Sequence, residues 1–417
     1  MIIDAIVAGA GIWGCTVARR LAELGRKVLV LEKRPVVGGN VRCELDEETG
    51  IEIHKYGSHI FHTHIPEVWE FVNRFVQFNG YQHKVLARTR LSSSLELEWE
   101  KGRIYFLPFG LALVNQFFGK NLTPAELPAF LDQKAGIHCP TPTTHSHSSL
   151  TNRDILFEVF IKNYTSKQWG KPPEEIDPSI IKRVPVRSNY DVNYFNDYWQ
   201  GIPTEGYNAL FERMLDHENI TVRVSSSLKL ELDGGTFFVF DEEKKTITPL
   251  SHSHSILPLY YSGPIDALFD YKHGALPWRT LRFETERVPL ADAQGTSVVN
   301  YVDADVPYTR QHEFKHYHPE PIGPLSQAES IKSGKETILM REYSATWKLG
   351  DEPYYPVNTP DAPALLAKYN EEVEKLNTQF SHSNSKLQLT IGGRLGQYKY
   401  FDMDKSIQSA LELKLEV

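Results

Sequence analysis

Cysteine is scarce in this chain of 417 residues, which contains only three cysteines. Cys15, Cys43 and Cys139 are too few and too widely spaced for a disulfide framework or a cysteine-based zinc site. Cys15 also directly follows a glycine-rich turn, where helix packing is favoured over nucleophilic chemistry.

An excess of positive charge and a long apolar run are missing as well. The net charge of -8 at pH 7 argues against a general nucleic-acid-binding surface, although an anionic ligand can still occupy a local arginine pocket. The N-terminal apolar run is only as long as a strand and lacks a signal-peptide cleavage site. We therefore expect a cytoplasmic protein that binds neither nucleic acid nor membrane.

Patterns of metal ligands are weak. Two pairs of histidines lie in Ser-rich stretches that read as solvated loops, without a carboxylate or cysteine ligand beside them: His145 with His147, and His252 with His254. His59, His62 and His64 are closely spaced, but their loop context and the lack of a different ligand type nearby disfavour a metal. We predict no metal site.

A dinucleotide-binding unit is present at the start of the chain. Residues 2–8 read as a buried strand, and Gly9, Gly11 and Gly14 follow it as Gly-x-Gly-x-x-Gly. Gly9 permits the sharp turn, Gly11 lets the backbone approach a pyrophosphate, and Gly14 lets helix and strand pack closely. The amides and dipole at the start of the next helix then favour the anion.

The rest of this unit has the required spacing. Val17, Leu21 and Leu24 recur at helical intervals and the helix is expected to end at Gly25. A second strand over 28–31 delivers Glu32, which is placed to accept from a ribose hydroxyl. Only one such fingerprint occurs, which favours FAD without a dedicated nicotinamide domain.

The length exceeds one ordinary core, so we expect two or three domains, one of them built from distant segments. Periodicity predicts the following elements: a helix within 66–78, β-structure over 85–106, helices within 111–135, a helix over 151–164 capped by Thr151 with Asp154, a strand over 387–391, and a final helix over about 403–413 behind Asp402.

Several longer motifs, taken together, match one family. They are Glu32-Lys-Arg with Gly38-Gly39-Asn40, His54-Lys-Tyr-Gly-Ser-His-Ile-Phe-His-Thr63, Tyr164-Thr-Ser-Lys-Gln-Trp-Gly170, Ile181-Lys-Arg-Val-Pro-Val-Arg187, Val306-Pro-Tyr-Thr-Arg310 and Gly392-Gly-Arg-Leu-Gly-Gln-Tyr-Lys-Tyr-Phe-Asp-Met403. On these motifs the chain resembles the bacterial-type UDP-galactopyranose mutases, over nearly all of residues 1–410.

The resemblance implies a flavoenzyme that interconverts UDP-galactopyranose and UDP-galactofuranose without net redox change and supplies galactofuranose for cell-surface glycans. In that family FAD must be reduced, and the flavin forms a covalent adduct with the sugar while UDP leaves. The resemblance also implies a homodimer and an external reductant for the flavin. Two alternatives stay open: an FAD-dependent oxidase or desaturase of the same fold, and a UDP-sugar binder without turnover.

The resemblance assigns four candidate catalytic residues. Arg187 and Arg310 match the family's diphosphate-clamping arginines, and guanidinium groups suit phosphate better than ammonium groups do. Arg279 matches a third arginine near the substrate and flavin, and His62 matches a histidine beside the reactive face of the flavin. These four residues are expected to surround the reacting groups.

The other substrate positions implied by the family are mostly aromatic. Tyr164 and Trp169 match residues that contact the uridine, and Tyr355 and Tyr400 match tyrosines whose hydroxyls bind the diphosphate. Tyr194 is a further substrate contact. His83 occupies a position near the sugar in some members.

The cofactor positions implied by the fingerprint and the family lie along the whole chain. They are Gly9, Gly11, Gly14, Glu32, Lys33, Gly39, Asn40, His59, Ile60, Gly263, Arg394, Asp402 and Met403. Arg394 matches a contact to the flavin phosphate or ribityl chain, and the start of the helix behind Asp402 matches a flavin contact. Glu342 matches a carboxylate near the flavin whose role is undefined.

The expected fold class is α/β, with a discontinuous Rossmann-type FAD-binding domain, a helical domain and a mixed or antiparallel β-sheet domain. The predicted boundaries are 1–68, 199–268 and 360–417 for the FAD domain, 110–182 for the helical domain, and 69–109, 183–198 and 269–359 for the sheet domain. A mobile loop over 169–178 is expected to close over the substrate. Lys171, Glu205 and the long stretch 225–255 depart from the family pattern.

Overall fold

The computed structural model describes residues 3–90, 102–135, 150–172, 175, 186–231, 236–249, 257–318, 335–381 and 387–415. The predicted loops at His145 and His254, and most of the predicted mobile loop after Trp169, lie outside these residues. Within the described ranges, no helix is long and apolar enough to cross a bilayer.

A five-stranded parallel sheet lies at the centre of the N-terminal unit. Its order is β19–β13–β1–β2–β9, made of β1 (Ala5–Ala8), β2 (Val28–Leu31), β9 (Ile220–Arg223), β13 (Leu257–Tyr261) and β19 (Leu387–Ile391). The strands β1, β2 and β13 are almost wholly apolar and buried, as expected for a parallel sheet covered on both faces. The predicted strands at the N-terminus and over 387–391 are confirmed.

The first helix, α1 (Ile12–Glu23), packs Val17 and Leu21 into the core beneath this sheet. The expectation that Leu24 shares this apolar face is wrong, because the helix ends at Glu23 and Leu24 is 49% exposed. Gly25 follows with φ +81, the left-handed conformation that terminates helices.

A seven-stranded mixed sheet forms the second layer, in the order β18–β14–β17–β16–β15–β6–β7. Its strands are β6 (Val85–Thr89), β7 (Arg103–Leu107), β14 (Trp278–Val288), β15 (Val298–Tyr301), β16 (Arg310–Glu313), β17 (Thr337–Thr346) and β18 (Tyr355–Pro356). Only the β15–β6 pair among these is parallel. The sheet thus brings β6 and β7 into one layer with the later strands β14 to β18.

Short helices cover one end of this sheet. They are α3 (Leu111–Phe118), α4 (Leu127–Asp132), α5 (Asn152–Phe157) and α6 (Asn163–Trp169). The predicted capping pair is confirmed, since Thr151 and Asp154 form a reciprocal capping box at the start of α5. Between α5 and α6 the chain forms a π-helical segment, Glu158–Lys162, which periodicity alone did not predict.

The remaining elements complete the layers. The helices are α2 (Pro66–Asn73), α7 (Tyr207–Leu215), α8 (Ile265–Leu268), α9 (Ala362–Ser381), α10 (Gly393–Gly396) and α11 (Met403–Leu411), with single 3-10 turns at Gly39–Val41 and Phe314–Tyr317. The other strands are β3 (Cys43–Leu45), β4 (Glu52–His54), β5 (Phe61–Thr63), β8 (Trp199–Gly201), β10 (Ser226–Glu231), β11 (Thr236–Asp241) and β12 (Thr246–Pro249). β10, β11 and β12 form an antiparallel sheet within the long 225–255 stretch.

The predicted fold class is confirmed: a parallel Rossmann-type sheet, helices and a mixed sheet occur in one chain. The proposed domain boundaries stay a prediction. What matters for the site is that β1, β2, β13 and β19 all direct their carboxyl ends to the same edge, where ligands of such sheets bind.

Candidate functional site

The glycine turn after β1 is sterically closed to any other residue. Gly9 has φ +107, and a Cβ on it would lie 2.2 Å from Ser262 Oγ. A Cβ on Gly14 would lie 1.9 Å from the carbonyl oxygen of Gly9, so helix and turn touch directly. Both contacts follow from the close helix–strand packing that the fingerprint requires.

A cavity of about 490 Å³ opens beside this turn. The predicted cofactor residues that line it are Gly9, Gly11, Glu32, Lys33, Gly39, Asn40, His59, Gly263, Arg394, Asp402 and Met403. Gly14 and Ile60 are not part of the lining: Gly14 packs under the turn, and Ile60 is buried in the core. Their predicted link to the cofactor is therefore indirect in this structure.

Glu32 is buried at the end of β2 and already accepts two backbone hydrogen bonds. Its Oε2 accepts from the amide of Ala10 at 2.7 Å and its Oε1 from the amide of Arg34 at 2.9 Å. Burial raises the pKa of this carboxyl above its ordinary value. Since a carboxylate has about four acceptor positions, two remain for a ribose hydroxyl.

Arg34 lines the same cavity and was missed by the sequence reasoning, which chose its neighbour Lys33. The Arg34 guanidinium bonds Asn40 Oδ1 at 2.8 Å, pairs with Glu352 at 3.0 Å and lies 4.3 Å from the ring centre of Tyr56. Its Nη1 is buried and has no hydrogen-bond partner among the described residues. The motif Glu32-Lys-Arg contained this arginine, but the pattern did not distinguish the two cations.

Asp402 stands at the N-cap position of α11, as predicted, but its side chain makes no capping hydrogen bond. Its backbone is extended and its side chain lines the cavity instead. The positive end of the α11 dipole is thereby presented toward the cavity.

Arg310 is the centre of a polar cluster beside the cavity. Its Nη2 donates to the hydroxyl of Tyr164 at 2.7 Å, and its Nε lies 3.3 Å from Glu342 Oε1. Burial works to lower the pKa of Arg310, but the Glu342 carboxylate raises it well above its ordinary value. Burial likewise opposes the charge of Glu342, whose pKa Arg310 and His312 nevertheless lower. The pair is therefore fully charged at neutral pH.

A chain of hydrogen bonds continues from Glu342 to the turn at Gly57. Glu342 Oε2 lies 3.1 Å from His312 Nε2, and His312 Nδ1 lies 2.6 Å from Ser58 Oγ, which accepts from the Tyr317 hydroxyl at 2.6 Å. Burial lowers the pKa of His312, so the ring is neutral and donates to the carboxylate through Nε2. The sequence held no indication of His312, since its partners are more than 25 residues away.

Two predicted tyrosines and Arg394 join this cluster to the cavity. The rings of Tyr355 and Tyr400 stack at 5.8 Å between centres, and the Arg394 guanidinium lies 5.1 Å from the ring centre of Tyr400. Tyr400 is 56% exposed, so its face is open to a ligand. Burial raises the pKa of the Tyr355 hydroxyl, and Arg310 is close enough to oppose that rise.

His62, His83 and Tyr194 form an adjoining group around Phe195. The His62 ring stacks on Phe195 at 3.7 Å and its Nδ1 lies 2.7 Å from Asp197. The His83 ring stacks on Phe195 at 5.7 Å and contacts Tyr194 edge-on. Burial and the nearby Arg310 lower the pKa of His83 to about 3, which keeps it neutral.

His59 is a second neutral histidine, at the edge of the cavity. Its Nδ1 lies 2.7 Å from the carbonyl oxygen of Gly57, and burial lowers its pKa to about 3. His64, by contrast, is exposed and bonds the second oxygen of Asp197 at 2.9 Å. His62 and His64 thus share the two oxygens of one carboxylate in a hydrogen-bond network.

Arg279 is placed differently from the expectation that it faces the substrate. It is 4% exposed, and its guanidinium donates to the carbonyls of Gln168 and Lys167 and to the hydroxyls of Ser344 and Thr346. Contact with a ligand would require it to give up these bonds. The structure therefore supports a role for Arg279 in holding the end of α6, where Trp169 is half-buried.

Arg187 is also occupied by protein groups. Its guanidinium donates to the carbonyls of Asn193 at 2.5 Å and Tyr194 at 3.2 Å, and lies 3.7 Å from Asp191. Arg187 thus lies beside Tyr194 rather than in the Arg310 cluster, and its predicted clamping role stays a prediction. Of the departures from the family pattern, Glu205 pairs with Arg213 at the surface.

A buried cluster of Cys43, Glu52 and His54 has ligand atoms within 4.8 Å of one another. His54 Nδ1 accepts from the amide of His59 at 3.0 Å, so the proton of the neutral ring lies on Nε2, the nitrogen that faces the cluster. A protonated nitrogen does not ligate a metal. Glu52 instead accepts from the amide of Tyr207 at 2.9 Å and pairs with His318 at 3.1 Å, which indicates a structural role.

In the variant Glu52→Gln the free energy of unfolding is expected to fall less steeply with decreasing pH, between pH 4.5 and 2, than in the parent protein. Burial works to raise the pKa of Glu52, but His318 and His54 lower it from 4.5 to about 2. Its stabilisation is full above pH 4.5 and is lost as the pH falls toward 2, because the unfolded chain binds the proton first. Urea unfolding should show that the difference in the free energy of unfolding between parent and variant decreases by about 3 kcal/mol as the pH falls across this range.

The matched control is Glu44→Gln on the neighbouring strand, where the carboxylate is exposed and pairs with Lys55. This variant should parallel the parent at every pH. If the Glu52 and Glu44 variants give the same pH profile, the assignment of Glu52 as an acid-resistant carboxylate is wrong.

Two family models match parts of the chain. A family model described as UDP-galactopyranose mutase matches residues 159–400, and one described as NAD(P)-binding Rossmann-like domain matches residues 7–75. The chain is 36% identical over 410 residues to a probable UDP-galactopyranose mutase of Klebsiella pneumoniae, covering 98% of this chain and 92% of that protein. It is 35% identical over 408 residues to dTDP-fucopyranose mutase of Escherichia coli, covering 98% and 96%.

The crystal structure of reduced UDP-galactopyranose mutase is similar in fold. It superposes with a TM-score of 0.68 at 17% identity, covering 99% of this chain and 93% of that one.

Proposed function

Because the chain belongs to the UDP-galactopyranose mutase family, we propose that it interconverts UDP-galactopyranose and UDP-galactofuranose, using reduced FAD as a covalent catalyst. The observation that carries this proposal is the Arg310 cluster. It places a charged guanidinium against the Tyr164 hydroxyl and near the stacked rings of Tyr355 and Tyr400, and Arg394 links those rings to a cavity built on a dinucleotide turn.

The residues around the cavity fit FAD. A Cβ on Gly39 would lie 3.0 Å from Gly11 Cα, so two bare backbone segments meet where a pyrophosphate would approach. Arg34 Nη1 is a buried donor that lacks a partner among the described residues, and Glu32 keeps acceptor positions for a ribose. Arg394 and the start of α11 would hold the opposite end. When bound and reduced, FAD supplies the nucleophile for the anomeric carbon of the sugar.

Arg310 carries the electrostatic part of the reaction. UDP departs with a new negative charge, and a preorganised guanidinium beside the diphosphate stabilises this charge most when the bond breaks. Tyr164 fixes one arm of the Arg310 fork and offers its ring to the uracil base. Tyr355, Tyr400 and Arg394 extend the same surface toward the cavity.

The histidines contribute without adding charge. His83 and His59 have pKa values lowered to about 3 by burial, so each is neutral at physiological pH. We assign them hydrogen bonding to the sugar and to the cofactor, respectively. His62, oriented by Asp197, is the histidine positioned to exchange a proton with bound substrate.

The identity of the sugar nucleotide is decided by comparing kcat/KM for the two candidate substrates. One relative of nearly equal identity is a dTDP-fucopyranose mutase, so UDP-galactofuranose and dTDP-fucofuranose are offered separately to reduced protein whose visible spectrum confirms bound flavin. We expect kcat/KM for UDP-galactofuranose to be higher by about 10-fold or more. A preference for dTDP-fucofuranose would reassign the substrate, and conversion of neither sugar would reject the isomerase.

The finer predictions of the family resemblance complete the proposal: cytoplasmic location, a homodimer, an external flavin reductant and supply of galactofuranose to surface glycans. Light scattering on the purified protein checks the dimer.

A further inference from the structure

The ammonium group of Lys167, on α6, lies among four backbone carbonyl oxygens. Its Nζ donates to the carbonyls of Tyr301 at 2.6 Å, Asp303 at 2.9 Å, Val306 at 3.0 Å and Tyr308 at 3.1 Å. We call these four carbonyls the carbonyl cradle. An ammonium group has three hydrogens, so the four carbonyl oxygens share them. The turn between β15 and β16 is therefore folded around one cation.

The carbonyl cradle requires a positive charge at its centre. Four carbonyl dipoles that converge on one point repel one another, and buried acceptors left without donors are costly. The Asp303 carboxylate is held elsewhere, by the hydroxyl of Thr89 at 2.7 Å and the amide of Arg90 at 3.0 Å. Lys167, Thr89 at the end of β6 and the adjacent Arg90 therefore all hold the turn.

The turn leads directly into Arg310. The amide of Tyr301 donates to the carbonyl of Thr309 at 2.9 Å, and the amide of Thr309 donates to the carbonyl of Glu342 at 2.8 Å. Arg310 is the next residue, and its Nη2 reaches the Tyr164 hydroxyl. Tyr164 itself lies three residues before Lys167 on α6, one helical turn away on the same side.

We propose that Lys167 is a positioning residue for the diphosphate-binding pair: by holding the carbonyl cradle it fixes the turn that carries Arg310 against the helix that carries Tyr164. The inference rests on the proposed function, since it takes the Arg310–Tyr164 pair to bind the nucleoside diphosphate. Arg279 anchors the same helix from the other side through the carbonyls of Lys167 and Gln168.

The test is a double-mutant cycle on UDP affinity, measured by calorimetry on the flavin-bearing protein. Lys167→Met is expected to weaken UDP binding by about 10-fold and to lower kcat/KM by about 10²-fold, since small misplacements of a binding group have effects of this size. In an Arg310→Ala background the same change should alter UDP affinity by less than about 2-fold, because the group it positions is gone.

Lys162→Met is the matched control. Lys162 lies in the preceding π-helical segment, and its ammonium group pairs with Glu158 at 2.9 Å. This variant removes a cation from the same helical unit and is expected to leave UDP affinity unchanged. Thermal melting and flavin content verify that each variant is folded. If Lys167→Met does not fold, Lys167→Arg, which keeps the charge on a head too large for the carbonyl cradle, replaces it in the same cycle.

Equal losses from the lysine change with and without Arg310 would overturn the inference, because they would indicate general destabilisation rather than coupling. Absence of UDP binding by the parent protein would instead reject the proposed function on which it rests. The inference is supported if Lys167→Met weakens UDP binding in the parent protein but not in the Arg310→Ala background, and if Lys162→Met leaves UDP affinity unchanged.

Discussion

Oxidised protein is expected to convert no measurable UDP-galactofuranose, whereas the same preparation reduced with dithionite under anaerobic conditions converts it to UDP-galactopyranose. The isomerisation has no net redox change, so a requirement for reduction has no stoichiometric origin. Under the proposed mechanism the requirement would arise because only the reduced cofactor has an electron pair available to displace UDP. The rates should differ by about 10³-fold or more, as when a covalent nucleophile is removed.

The control for this experiment is reversal. Readmission of oxygen after turnover should abolish activity as the flavin spectrum returns to its oxidised form, and a second reduction should restore it. Equal rates in both redox states would reject covalent flavin catalysis. The oxidase or desaturase alternative predicts substrate-dependent hydrogen peroxide or reduction of an added acceptor, and it gives the Arg310 cluster no function.

The Rossmann-type unit was predictable because its determinants are local. Gly14 is required by its contact with the Gly9 carbonyl five residues before it, Gly9 has the positive φ of the turn itself, and the strands on either side are continuous apolar runs. The failure at Leu24 is also local in origin: periodicity locates an apolar face but not the residue at which the helix ends. The order of the mixed sheet, in which β6 pairs with β15, depends on contacts across more than 200 residues and was not predictable.

The candidate site divides in the same way. Arg310, Tyr164, Tyr355 and Tyr400 were identified through motifs, and the structure brings them near one another, with Arg394 linking them to the cavity. Arg34 and Lys167 were present in those motifs, but their roles depend on partners supplied by other segments. The sequence of one segment does not predict which carbonyl or carboxylate groups of another segment will contact its side chains.

Arg187 and Arg279 were also identified through motifs, and their predicted contact with the diphosphate stays a prediction. In the structure the Arg187 guanidinium donates to two backbone carbonyls, and the Arg279 guanidinium donates to two carbonyls and two hydroxyls. A guanidinium engaged in this way is a poor ligand unless a rearrangement frees it. Arg310 differs because its principal partner is a buried carboxylate, which keeps it charged without covering its whole fork.

Arg310→Ala is expected to lower kcat/KM by about 10³-fold, the size of effect seen when one donor that stabilises developing negative charge is removed. The physical reason has two parts. The diphosphate loses its guanidinium, and Glu342 is left as a buried carboxylate without the cation that lowers its pKa. An unpaired negative charge beside the leaving group then repels it. Steady-state rates of the reduced protein measure the loss.

The effect of the unpaired Glu342 carboxylate can be separated from the loss of the guanidinium with the variant Glu342→Gln. In the Arg310→Ala background Glu342→Gln removes the repulsion, so the double variant should recover about 10-fold of the lost kcat/KM. Glu342→Gln alone should instead lower kcat/KM, because Arg310 loses the carboxylate that holds it in place. Arg187→Ala is the comparison for a protein-bound arginine and should cost about 10-fold at most, since its guanidinium serves the carbonyls of Asn193 and Tyr194. If Arg187→Ala is as damaging as Arg310→Ala, the loop that carries Arg187 must rearrange during turnover, and the diphosphate is then bound by both arginines.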